Sequence, residues 1–142
     1  MPNWSKSFET YLNLSDKQRL GIGLKSNEIL SKEINNLVEE EMMRPTMYML
    51  VLAPFVSLKE EVRQREYQFV KETTGYGDAL DKFIDIINRG KNDKVAEFFQ
   101  IYFKKLGGES FKAYTSMALA LLTIKGELLE EDKQLIEKIY QE

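Results

Sequence analysis

Apolar positions recur at helical spacing along most of this chain, and the elements they predict are helices. Trp4, Phe8, Tyr11 and Leu12 predict a short first helix that lays an aromatic face on the body of the protein. Ser15 and Gln18 have the spacing of a capping box, but Gly21-Ile22-Gly23 follows closely. The second element is therefore expected to last one or two turns and to bend at Gly21 to Gly23. Ser26 can cap the next helix, where Ile29, Leu30, Ile34, Leu37 and Val38 form one stripe and Glu28, Lys32, Glu39 and Glu40 lie outside it. Pro45 disfavours helical geometry at Arg44 and marks an end or a kink. The nearly all-apolar run from Met47 to Ala53 predicts an element buried on all sides, and a helix is favoured because a strand there has no partner of alternating pattern.

The second half is more regular. Ser57 with Glu60 is another capping box, opening a helix through Leu58, Val62, Phe69 and Val70 that should end before Gly75-Tyr76-Gly77. Asp78 begins a helix with Leu80, Phe83, Ile84 and Ile87 inside, and Asp93 caps one carrying Val95, Phe98, Phe99, Tyr102, Phe103 and Leu106. Ser110 starts a helix through Phe111, Tyr114, Met117, Ala118, Leu121 and Leu122 towards Gly126, and Leu135, Ile136, Ile139 and Tyr140 belong to a final one. Short connections between these segments favour antiparallel neighbours. The expected fold is all-α with six to eight helices, an antiparallel helical bundle over residues 78–141 packed on a less regular helical N-terminal half. With no linker-like run and no charge step, residues 1–142 are read as a single helical domain.

Composition narrows the chemistry more than it narrows the fold. With 142 residues, 43% of them hydrophobic, the chain can bury roughly 70% of the surface its unfolded form exposes. It has no cysteine, which excludes disulfides, thiolate metal sites and a cysteine nucleophile, and no histidine, which removes the commonest general base and transition-metal ligand. No catalytic motif stands out among the remaining residue types, so the chain is expected not to be an enzyme and to carry neither cofactor nor metal. A net charge of −3 is far from the basic balance of a dedicated nucleic-acid binder. The first residues form no secretory signal, and the longest apolar run, Met47 to Val56, is about half the ~20 residues a span needs and contains Pro54. A cytoplasmic protein without membrane contact is the expectation.

Several constellations need both a structural and a functional reading. Asp78, Asp81 and Asp85 share a helix face that could offer carboxylates to a hard cation, yet capping, first-turn placement and pairing of Asp85 with Arg89 account for all three. The acidic runs Glu39-Glu40-Glu41 and Glu130-Glu131-Asp132 read as solvated helix surface. Between Arg89 and Lys112, Lys91, Lys94, Lys104 and Lys105 interleave with aromatics as in single-strand nucleic-acid sites; because the aromatics fall on the core stripe, the lysines read first as surface charges. Neither Gly21-Ile22-Gly23 nor Gly75-Tyr76-Gly77 has the pattern of a phosphate loop.

Met42, Met43, Met47 and Met49 cluster around Pro45, beside Tyr48 and Phe55. Methionine fills irregular core gaps and also suits a surface that must adapt to a partner. The core role is the stronger reading, and the interface role is the best candidate for a functional surface. Toward the C-terminus, Ala118 to Leu122 followed by Lys125-Gly126-Glu127 and Glu130-Glu131 resembles the second helical hairpin of TerB-like tellurite-resistance proteins. Where that pattern expects an acidic residue before the glycine, this chain has Lys125, so the resemblance implies no metal site here.

The leading functional expectation is a small binding or regulatory protein acting through protein–protein contact or self-association as a homodimer, with Met42, Met43, Met47, Tyr48, Met49 and Phe55 as partner-binding residues. The alternative is a helical sensor or carrier of an apolar ligand such as a fatty acid. A further alternative is a nucleic-acid accessory protein using Lys91, Lys94, Lys104 and Lys105.

Overall fold

The computed structural model describes residues 4–52, 55–56, 60–76, 101–102, 105 and 108–139. Among them are six α-helices and no strand: α1 Trp4–Leu12, α2 Asp16–Leu37, α3 Arg44–Leu52, α4 Glu60–Thr74, α5 Gly108–Leu122 and α6 Glu130–Ile139. The chain is all-α, as its periodicity predicts. The segments predicted to start at Asp78 and Asp93 lie, but for a few positions near Tyr102, outside the described residues, as do Asp78, Asp81, Asp85, Ser57, Phe98 and Phe99.

The largest departure from expectation is α2. Its start is the predicted capping box: the Gln18 N–H donates to Ser15 Oγ at 3.1 Å and the Ser15 N–H donates to Gln18 Oε1 at 2.9 Å. Instead of stopping after two turns, the helix runs 22 residues without a bend element through Gly21-Ile22-Gly23, and Ser26, expected as a cap, is a buried residue in its middle. Glycine in a helix interior costs about 1 kcal/mol relative to alanine. Gly23 offsets that cost through packing, because a Cβ there would lie 2.7 Å from Phe69 Cζ and 2.7 Å from Thr73 Cγ2. It is a notch that lets α4 approach. Arg19, Gly23, Ser26, Leu30 and Ile34 form one continuous buried stripe at steps of three and four, while Glu28 and Lys32 face outward as predicted.

α2 packs most extensively on α5 and next on α4. Polar ties fix the directions. Ser110 at the start of α5 donates to Glu33 Oε1 at 3.0 Å, whereas Thr123, just past its end, meets Arg19, so α2 and α5 run antiparallel. Asp16 pairs with Arg65 and Gly23 faces Phe69 and Thr73, so α2 and α4 run parallel. The N-terminal half thus supplies the long helix on which α4 and α5 both pack.

In α5, Ala113, Tyr114 and every residue from Met117 to Leu122 are buried. α3 is helical as predicted, with Tyr48 and Leu52 buried, but Met47 is only half-buried. Pro45 neither ends nor kinks α2, which stops at Leu37; it occupies the first turn of α3, where its missing N–H costs nothing. Left-handed glycines close two helices: Gly75 at φ 86° after α4 and Gly126 at φ 81° after α5. Phe8 of α1 is buried and Tyr11 packs on the same core, as the aromatic pattern predicts. No helix among the described residues is long and apolar enough to cross a membrane.

Candidate functional site

The segment expected to bind a partner is divided by the fold. Val38 leaves α2 in an extended conformation, its N–H still donating to Ile34 O at 2.8 Å. Glu41–Met43 then form a 3₁₀ turn that leads into α3. The turn turns two methionines outward: Met42 is 90% exposed and Met43 49%. Tyr48 and Phe55 point the opposite way. Tyr48 is 4% exposed and stacks at a tilt on Tyr76 with centroids 5.3 Å apart, and fully buried Phe55 meets Tyr114 of α5 edge-on at 5.8 Å. These two side chains are part of the core. Met49 lies within α3, and its side chain is outside the described residues.

Met43 and Met47 line an open groove of about 520 Å³ together with Leu37, Val38 and Thr46. Three exposed carboxylates, Glu39, Glu40 and Glu41, stand along or beside it. Only Glu41 has a cation near, Arg44 Nη1 at 3.7 Å among the described residues, and Arg44 Nε also donates to Val38 O at 3.3 Å, fastening α3 to the end of α2. On α3, next to Met47, burial and the neighbouring Tyr76 push the Tyr48 hydroxyl up to about 12, partly opposed by hydrogen bonding with Ser31 and Asn27 on α2 and by Arg44. Tyr48, next in sequence to groove-lining Met47, is thus held against α2 and against Tyr76, two residues past the end of α4. What this geometry offers is an adaptable apolar surface with an anionic rim.

Of the lysines considered for nucleic acid, Lys91, Lys94 and Lys104 lie outside the described residues, and Lys105 is helical and exposed. Tyr102 and Phe111 pack against the core and Lys112 faces water, as the core-plus-surface reading has it for those residues. Burial, then Glu33, raises the Tyr102 hydroxyl. Among the described residues no group of three or more acidic side chains could hold a metal ion. The acidic run at the start of α6 is only partly solvated surface: Asp132 accepts from the Leu129 N–H at 2.9 Å and pairs with Lys125 at 2.5 Å, with the two side chains 12% and 4% exposed.

Sequence reasoning missed a second feature, the cleft between the first turn of α2 and the middle and end of α4. Its volume is about 440 Å³, and Arg19, one of its lining residues, is 4% exposed. Arg19 Nη2 donates to Tyr11 O at 2.9 Å and to Thr123 O at 3.4 Å, Nε donates to Thr123 Oγ1 at 3.4 Å, and Nη1 donates to Asp16 Oδ1 at 3.3 Å. Burial lowers its pKa, Asp16 raises it, and Arg65 lowers it further. The signal was present as the stripe from Arg19 to Ile34, but breaking the helix at Gly21 to Gly23 hid it. No family model matches this chain, and no curated protein or solved structure is found similar to it.

Proposed function

We propose that this protein is a binding module that docks a basic amphipathic helix of a protein partner in the groove between the end of α2 and the start of α3. The observation that carries this reading is the combination of outward-facing Met42 and Met43 with the Met47-lined groove and the run Glu39 to Glu41 at its edge. Unbranched thioethers repack around differently shaped apolar side chains, and carboxylates at a rim select lysine and arginine and steer their approach. Charge also bears on self-association. In a two-fold dimer through this surface, two copies of the acidic run would lie close to the axis, where like charges repel. A basic partner is therefore favoured over a second copy.

The experiment uses a fluorescein-labelled helical peptide with leucine on one face and lysine on the other, titrated by anisotropy, with a scrambled peptide of identical composition as control. The ordered peptide binds and the scrambled one does not; Met43→Asp abolishes binding, and Glu39→Lys with Glu40→Lys weakens it about tenfold or more, a loss of about 1.4 kcal/mol. Equal binding of both peptides, or binding unchanged in Met43→Asp, refutes the reading. Light scattering on the same samples decides the alternative occupant: a dimer dissolved by Met43→Asp would replace the basic helix with a second copy of this chain.

A further inference from the structure

The cleft between α2 and α4 plays no part in the methionine groove, and its construction is that of a ligand site. Phe69 and Ile124, both buried, and half-buried Leu20 give it an apolar lining, and its volume of about 440 Å³ lies within the range of small-molecule pockets. At its inner end is a cation almost removed from water. A guanidinium carries five N–H donors. Those of Arg19 reach two backbone carbonyls, one hydroxyl and one carboxylate oxygen, and among the described residues one Nη1 hydrogen reaches no acceptor.

The carboxylate is also shared. The same Asp16 Oδ1 that accepts from Arg19 at 3.3 Å accepts from Arg65 Nη2 at 2.9 Å, and the Asp16 side chain is 73% exposed, so water screens the charge it offers. A buried cation with only a fraction of a screened anion is incompletely compensated. The cleft as a whole agrees. Lys17, Arg19 and Arg65 face Asp16 and Glu72, and Glu72 already accepts from Gln68 at 2.8 Å, which leaves one positive charge in excess. One excess charge calls for a monoanion, and a planar carboxylate matches the fork of a guanidinium.

We propose that this cleft binds a small amphiphilic carboxylate, its head on Arg19 and Arg65 and its aliphatic tail along Leu20, Phe69 and Ile124. The head takes the share of Arg19 that Asp16 supplies incompletely, and the tail covers apolar surface that is now open to water.

Calorimetric titration of the full chain with octanoate, 1-octanol and inorganic phosphate tests this. Octanoate binds, whereas octanol and phosphate each bind at least about tenfold more weakly, because one lacks the charge and the other the tail. Gln68 is exposed on the cleft wall, and its one described side-chain bond is to Glu72, so Gln68→Trp fills the cleft without touching the core and abolishes octanoate binding. Arg65→Gln, at a half-exposed side chain, weakens octanoate several-fold while circular dichroism stays unchanged. Met43→Asp leaves octanoate binding as it was, which separates this site from the peptide groove. The proposal is overturned if octanol or phosphate binds as tightly as octanoate, if Gln68→Trp binds octanoate normally, or if octanoate gives no saturable binding.

Discussion

Two glycines, two residues apart on the same helix, offer a test of what makes α2 continuous. Gly21 and Gly23 both lie in the helix interior, so replacing either with alanine recovers the same helix propensity, about 1 kcal/mol. Their surroundings differ. A Cβ at Gly21 meets nothing within 4 Å, whereas at Gly23 it would lie 2.7 Å from Phe69 Cζ and from Thr73 Cγ2, both on buried side chains of α4. Forcing a methyl into such a contact costs about 1–3 kcal/mol. Gly21→Ala should therefore stabilise the protein by about 1 kcal/mol, raising Tm by about 3 °C for a chain of this length. Gly23→Ala should range from neutral to about 2 kcal/mol destabilising. Because the propensity gain cancels between them, the difference of about 1–3 kcal/mol isolates the cost of pushing α4 away from α2. Urea unfolding followed by circular dichroism measures both, with a common slope confirming that the unfolded state is unchanged. If Gly23→Ala proved as stable as Gly21→Ala, the notch would not be what holds these helices together.

Other consequences can be checked alongside. Ser15→Ala removes one half of the capping box and should cost about 1 kcal/mol in the same urea assay. Lys125→Met leaves Asp132 buried without its cation and should cost about 2–4 kcal/mol, much of it recovered in Lys125→Met with Asp132→Asn, which keeps an acceptor for the Leu129 N–H. A loss under about 0.5 kcal/mol would class the pair with solvent-screened surface bridges. Tyr48 holds its proton up to about 12 in the folded state and to about 10 when unfolded. Between those pH values the folded state binds more protons, so the stability contributed below pH 10 is lost as pH rises towards 12, and Tyr48→Phe should flatten that decline. An unchanged slope in Tyr48→Phe would assign the decline to other groups.

How far the fold was legible follows from the range of each signal. Local signals succeeded: the Ser15 box, the stop at Gly75, the helical phase of Phe111 to Leu122 and the stripe of Leu30 and Ile34 are set by neighbours within a turn or two. Gly23 was misread because its reason lies on α4, which no local window contains. The methionine segment was legible as apolar, but its division into outward Met42 and Met43 and inward Tyr48 and Phe55 was not. The 3₁₀ turn at Glu41–Met43 shifts the helical phase, and phase cannot be extrapolated through an irregular turn. Arg19 went unseen through the misreading of Gly23: with the helix broken at Gly21 to Gly23, it falls off the stripe of which it is the first member.

The antiparallel seating of α5 on α2 also sets an order of events during synthesis. The ribosome completes α2 long before it reaches Leu122, and at ordinary elongation rates the interval is about 4–17 s. For that time the face bearing Leu30 and Ile34 has no α5 to cover it, and Arg19 has no Thr123 to accept its hydrogen bonds. A nascent chain halted before Gly108 would present an apolar stripe of several turns with a cation at one end, the kind of exposed surface that makes partly folded chains aggregate. Chains truncated there should accumulate in the insoluble fraction, whereas chains released after Ile139 should not.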